Sequence, residues 1–192
     1  MADEDRLRWD AKYARGEHAA AEPSCVFTAL DSLLPTTGRA LDLAGGAGRH
    51  AIWLAQRGLD VTLADISDRA LESAGQRAVA AGVVLHLKQI DLEQEPFPPG
   101  PWDLIVSIHY CHRPLFKNFA EHLADRGMLV IIQPTVQNLE RHAKPPRRFL
   151  LQQGELASLA HELHIIHLEE DWSAEGRHEA VLVARKESST RD

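Results

Sequence analysis

Leu41-Asp42-Leu43-Ala44-Gly45-Gly46-Ala47-Gly48-Arg49-His50 is the stretch whose reading decides the fold. An apolar run ends on an acid, Asp42, and turns through Gly45, Gly46 and Gly48 into a helix-compatible segment. Glycines remove side chains where a ligand must approach the backbone, and the free amides of a helix start favour a polar ligand. The pattern is that of a strand, a tight turn and a helix around a nucleotide-type cofactor. Two templates fit it. Counted from Gly46, the run Gly46-Ala47-Gly48-Arg49-His50-Ala51 satisfies the dinucleotide fingerprint G-x-G-x-x-G/A, with Asp65 nineteen residues on to meet a ribose hydroxyl. Counted from Asp42, the spacing is D-x-A-x-G-x-G. The charge of the ligand separates the two. A pyrophosphate gains from bare amides but is repelled by an acid one turn away, whereas a cationic, phosphate-free adenosine compound is favoured by that acid.

Outward from this loop, strand-like and helix-like segments alternate, which predicts an α/β fold with a mostly parallel sheet and helices on both faces. Strands are expected at 40–44, 61–65, 83–90, 103–108, 128–133, 165–169 and 179–185, several of them the continuous apolar runs of buried parallel strands. Helices are expected at 49–57, at 68–81 behind the N-cap Ser67, at 115–125 and at 155–163. The last places Leu156, Leu159, Ala160 and Leu163 on one face. Two further helical pieces, 4–14 and 26–34, precede the first strand. The link from Leu92 to Pro101 carries four prolines and a glycine and has to cross as a loop. Only Asp171 to His178 separates the last two strands, a hairpin length, so the final strand should run antiparallel.

The 192 residues suit a single domain with a full core. It divides into an N-terminal helical cap over 1–36, a Rossmann-like core over 37–186 and a frayed tail over 187–192, with 1–3 also frayed. A net charge of −7 and scattered basic residues offer no footprint for a nucleic-acid backbone. The two cysteines, Cys25 and Cys111, show no metal-ligand spacing, and no apolar run approaches the ~20 residues of a membrane span. The expectation is a cytoplasmic protein with no metal, no membrane role and no nucleic-acid partner.

Together these segments resemble small bacterial class I S-adenosylmethionine (SAM) methyltransferases of the tellurite-resistance and thiopurine-methyltransferase-like type. The resemblance runs from Trp9 to about Arg185. It is carried by Trp9-Asp10-x-x-Tyr13, by LDLAGGAGRHAIWLAQRG at 41–58, by VTLADIS at 61–67, by Asp91 after the third strand and by WDLIVSIHYCHRPLF at 102–116. Ala44 stands where that family usually has glycine, and Gly45 where many members have cysteine; both are small. The resemblance implies the Rossmann-like class I methyltransferase fold, seven strands with the last antiparallel, and SAM as cofactor with S-adenosylhomocysteine as product. It further implies that Ala44, Gly45, Gly46 and Gly48 wrap the methionine end, with Asp42 directing the ammonium group and Arg49 near. Asp65, with Ile66 beside it, would accept the ribose hydroxyls. Asp91 would take the adenine amino group with the Leu92 amide near the ring, and Ser107 would face the ligand crevice. Trp9 and Tyr13, four apart on one helix face, would either lid the cofactor or pack as an aromatic staple.

Methyl transfer asks the protein mainly to position and desolvate, because the cofactor supplies the leaving group. A thiol or metalloid anion needs no strong base, whereas a hydroxyl or amine needs a proton acceptor. The candidates follow the fourth strand: His109, Tyr110, His112 and Arg113. His109 or Tyr110 is expected to contact the acceptor and serve as catalytic base, or else to form only the pocket wall. The paired prolines common in enzymes acting on amide or base nitrogens are missing from Ser107-Ile108-His109-Tyr110, which favours a small-molecule methyl acceptor. The stretch 134–151, with Arg141, Lys144, Arg147 and Arg148, is long for a connection and reads as a lid or as a solvated charge cluster. Rival readings are an NAD(H)-binding oxidoreductase or redox sensor, carried by the glycine fingerprint alone, and a non-catalytic SAM-binding module.

Overall fold

Seven strands are present: β1 (Arg39–Leu43), β2 (Asp60–Asp65), β3 (His86–Gln89), β4 (Trp102–Ile108), β5 (Leu123–Pro134), β6 (His164–Trp172) and β7 (His178–Arg185). The helices are α1 (Ala2–Ala14), α2 (Cys25–Thr28), α3 (Arg49–Gln56), α4 (Asp68–Ala80), α5 (Phe116–His122) and α6 (Glu155–Leu159). The structure is a computed structural model that describes residues 2–17, 20 and 22–188. The sheet order is β3-β2-β1-β4-β5-β7-β6. Within it β1, β2 and β3 run parallel, as do β4 and β5, while β7 is antiparallel to both β5 and β6. The expected antiparallel final strand is therefore there, and the stretch from Leu92 to Pro101 contains no helix. The chain divides into two compact units, Met1–Ser24 with Pro35–Pro98, and Cys25–Leu34 with Pro99–Asp192.

The first unit holds β1 to β3 with α1, α3 and α4. Leu41, Leu43, Leu54, Leu63 and Ala74 are fully buried there, and each such leucine contributes about 1.5–3 kcal/mol. Helix α4 starts where expected: the Ser67 hydroxyl caps it by accepting from the Ala70 amide at 3.1 Å. The same hydroxyl donates to Asp10 Oδ1 at 2.6 Å, and the Arg69 amide donates to that oxygen at 3.3 Å, so Asp10 fastens α1 to the first turn of α4. Strand β3 is shorter than the predicted 83–90. The Val83 amide closes back onto the Ala78 carbonyl at 3.0 Å, so the chain is still turning out of α4 where pairing was expected, and Val84 is left exposed.

The second unit holds β4 to β7 with α2, α5 and α6. Helix α5 ends at His122, three residues before the expected end, because the chain enters the β ladder at Leu123, opposite Trp102. There Gly127 lies so close to the next strand that a Cβ would sit 2.7 Å from the Trp102 carbonyl oxygen. Helix α6 ends at Leu159; of the expected apolar face Leu156, Ala160 and Leu163 are buried and Leu159 is half-buried, and its last turn is non-helical. The expected helix at 26–34 breaks into α2 and a 3-10 turn at Asp31–Leu33.

Helix α1 begins at Ala2, and Lys186 is tied to the sheet through its amide to the Gly127 carbonyl (2.9 Å) and its Nζ to the Leu123 carbonyl (2.8 Å). Residues 1 and 189–192 lie outside the described residues. Among the described residues no helix is long and apolar enough to cross a membrane.

Candidate functional site

At the carboxyl end of β1 the chain turns through Ala44 (φ 52°), Gly46 (φ 58°) and Gly48 (φ 78°), all left-handed, before α3 begins. The reversal brings two acids of the first unit, Asp42 and Asp65, to one loop. Asp42 is 1% exposed, and its Oδ2 has no hydrogen-bond partner. A Cβ on Gly45 would lie 2.5 Å from that same oxygen, so only glycine leaves the carboxylate in place. The cysteine common at this position in the family would have to displace it. Burial pushes the Asp42 carboxyl up to about 7, and the neighbouring charge of Asp65 adds to this, while the Ala51 amide and Arg49 oppose it.

Asp65, at the end of β2, is also buried. Its Oδ2 accepts from the Gly46 amide and its Oδ1 from the Ser67 amide, each at 2.9 Å. Burial raises its pKa, and the amides of Ser67, Gly46 and Ile66 pull it back. One carboxylate thus spans the glycine loop and the start of α4. Its four lone-pair sites leave capacity for further donors.

Tyr13 reaches the same loop from α1, its hydroxyl lying where a Cβ on Gly46 would be. Burial raises the Tyr13 pKa, and Asp65 and Asp42 raise it further. Trp9 stacks nearby at 6.2 Å between ring centroids, with Lys12 4.1 Å over its ring. Of the expected pair, Tyr13 therefore touches the loop, whereas Trp9 meets its helix neighbours. The site contains a residue that the sequence did not flag: Arg77 of α4 donates to the Ala47 carbonyl at 3.0 Å and holds the loop from behind. His50 is buried, and its Nε2 accepts from the Ser24 amide at 3.3 Å.

Asp91 follows β3, with Leu92 buried beside it. Its Oδ1 accepts from the Glu93 amide, and its own amide donates to Glu95 Oε1, both at 2.9 Å. These bonds make a tight turn that fixes where the carboxylate stands. In the second unit Ser107 is buried near the end of β4 and donates to the Tyr110 carbonyl at 3.3 Å.

His109 follows β4 directly, with a left-handed φ of 59° and its amide donating to the Ile132 carbonyl at 2.9 Å. Its Nε2 meets Glu179 Oε1 at 2.6 Å. Glu179 is the second residue of β7, and register places it opposite Pro134 with 2% exposure.

Arg113 opens the 3-10 turn Arg113–Leu115 that follows. It forms a two-pronged ion pair with Glu155, at 2.5 and 2.9 Å, and also donates to the carbonyls of Arg148 and Leu150. The stretch 134–151 is pinned at its base by a bridge between Thr135 and Leu151, and Arg141 lies 3.7 Å over the Trp172 ring.

Residues 40–127 match the sequence model of a family described as "Methyltransferase domain". That segment is similar to a methyltransferase domain. An uncharacterized protein of Mycobacterium tuberculosis (strain H37Rv) is 32% identical over 118 residues, which cover 58% of this chain and 43% of that protein. The chain therefore spans less than half the length of this curated relative. TehB from Haemophilus influenzae shares the fold with a TM-score of 0.71 at 19% identity, covering 92% of this chain and 66% of that one. An S-adenosylmethionine-dependent methyltransferase from Mesorhizobium loti does so with a TM-score of 0.70 at 20% identity, covering 85% and 98%. At such identities the likeness is one of fold, and it is the fold expected from the sequence. The matched segment spans Asp42, the glycine loop, Asp65 and Asp91.

Proposed function

We propose that this chain transfers the methyl group of S-adenosyl-L-methionine to a small-molecule nucleophile and releases S-adenosyl-L-homocysteine. The observation that carries this reading is the buried Asp42 carboxylate with one unpartnered oxygen at the glycine loop. A buried carboxylate without a partner calls for a cation, and SAM brings an ammonium and a sulfonium. A pyrophosphate would meet the charges of Asp42 and Asp65 instead, which counts against a nicotinamide dinucleotide.

When bound, SAM supplies an activated methyl group and a neutral thioether leaving group. The residues proposed to hold it are Asp42, Ala44, Gly45, Gly46, Gly48 and Arg49 at the methionine end, Asp65 and Ile66 at the ribose, and Asp91 and Leu92 at the adenine. Tyr13 covers the loop, with Trp9 stacked behind it, and Ser107 of the second unit is the further residue proposed for the cofactor. Asp65 is already aligned by the Gly46 and Ser67 amides, so it can receive a diol without reorganising. On the acceptor side, His109 and Tyr110 are the proposed contacts. The acidic balance of the chain disfavours nucleic acid as acceptor.

A homocysteine-release assay across thiols, metalloid anions, phenols and small amines tests the reading. SAM-dependent turnover of any of these at a rate abolished by Asp65→Ala supports it. SAM uptake with no transfer to any compound would leave a binding module instead.

A further inference from the structure

We propose that Glu179 is the positioning partner of His109, and that the pair equips this chain to accept the proton of a neutral hydroxyl acceptor, a phenol or an alcohol. This rests on the methyltransferase reading above.

The pair is built from both sides. Glu179 is held within β7 at 2% exposure, while the His109 side chain keeps 27% of its surface open. One end of the contact is thus fixed in the sheet and the other is accessible. The left-handed backbone of His109 is a conformation that side-chain-bearing residues adopt rarely. Its amide bond to the Ile132 carbonyl holds that turn and aims the ring at Glu179. The other oxygen of Glu179 is buried and has no partner, so among the described residues the imidazole is the group that answers this carboxylate.

The contact decides the tautomer. In the proposed pair an ionised Glu179 only accepts, which puts the hydrogen on Nε2 of a neutral His109 and leaves the lone pair on Nδ1. A base oriented in this way can take a proton from an acceptor hydroxyl as its oxygen bonds to the methyl carbon. The carbon–sulfur bond breaks with its electron pair going to sulfur, the proton goes to Nδ1, and the imidazolium formed is balanced by Glu179 until water removes the proton. The acceptor class follows from the same charge. A thiolate or metalloid anion needs no base, and an anion would meet the field of Glu179, whereas a neutral hydroxyl gains from both members of the pair.

Two measurements on the full chain test this, with wild type, Glu179→Gln, Glu179→Asp and His109→Gln. Nitrogen-15 spectra of histidine-labelled protein should show the Nε2–H tautomer for His109, identified by its loss in His109→Gln. Glu179→Gln, whose amide can donate, should shift it to Nδ1–H. In homocysteine-release assays with a panel of phenols and alcohols against a matched panel of thiols, Glu179→Gln should lower kcat on hydroxyls by about 100-fold. Thiol turnover and KM for SAM should change less than about threefold, and Glu179→Asp should recover part of the loss. An Nδ1–H tautomer in wild type, equal losses on both panels, or transfer to thiols but to no hydroxyl would overturn the proposal. Calorimetry with SAM keeps the two readings apart: no SAM uptake by wild type sinks the methyltransferase reading, while SAM uptake with the wrong tautomer sinks only the pair.

Discussion

The hydroxyl of Tyr13 fills the space that a side chain on Gly46 would need. Helix α1 and the glycine loop are therefore matched to each other, and the amide of Gly46 is free to bond Asp65. Gly46→Ala should destabilise the protein by about 1–2 kcal/mol from the left-handed backbone alone, and by more through the collision with Tyr13. Tyr13→Phe in the same chain removes the colliding atom, so the pair should be non-additive, with a coupling of about 0.5–3 kcal/mol. Denaturant unfolding of the two single variants and the double variant reads this directly; strict additivity would mean that Tyr13 does not touch the loop.

Asp42 sets the pH behaviour of the cofactor loop. Its folded pKa is raised to about 7 from the ordinary 3.8, so between these values the folded state binds the proton that the unfolded state has lost. Stability from this group is present at low pH and falls as pH rises through that window. Asp42→Asn should flatten the fall and stabilise the free protein near pH 8. A bound cation favours the ionised carboxylate, so SAM affinity should rise from about pH 6 to about pH 8 in wild type and stay flat and weaker in the Asn variant. Urea unfolding and calorimetry at the two pH values provide the check.

Ala44 holds a left-handed φ of 52° in a position where the family it resembles usually carries glycine. That conformation costs a residue with a Cβ about 1–2 kcal/mol, while glycine gives up about 0.5–1 kcal/mol of extra chain entropy. Ala44→Gly should therefore leave stability unchanged or raise it by up to about 1 kcal/mol. A clear loss would show that the methyl group packs against something the loop needs.

Much of this architecture is legible in the chain because it is written in local chemistry. Gly45, Gly46 and Gly48 mark the turn, Ser67 caps α4, and the short gap between β6 and β7 forces a hairpin. The misses occur where a distant partner overrides a local preference. Leu123 to Asp125 continue a helical pattern, but the pairing of Leu123 with Trp102 ends the helix before them. Glu179 and Asp10 look like ordinary surface charges. One is buried by the register of β5 with β7, and the other becomes a cap through a hydroxyl 57 residues away in sequence. Arg77 follows the same logic, since nothing in its own helix announces a bond to the Ala47 carbonyl.

Arg113 anchors residues 148–150 from outside that segment, and Glu155 shares the load. The Arg113 guanidinium holds the Glu155 carboxyl below its usual range, so the contribution of the pair is full above that range and is lost as pH falls through the lowered value. Arg113→Ala should cost about 1–3 kcal/mol and open the 141–150 stretch to limited proteolysis at neutral pH. An unchanged cleavage pattern would mean that the Thr135–Leu151 bridge suffices to hold it.

The account depends on a loop made for a cation rather than for a polyphosphate. Calorimetric titration of the wild-type chain with S-adenosylhomocysteine and, separately, with NADH tests this most directly. The structure predicts saturable uptake of S-adenosylhomocysteine that is strongly weakened by Asp42→Asn, and no uptake of NADH. Tight binding of NADH with no heat from S-adenosylhomocysteine would contradict it.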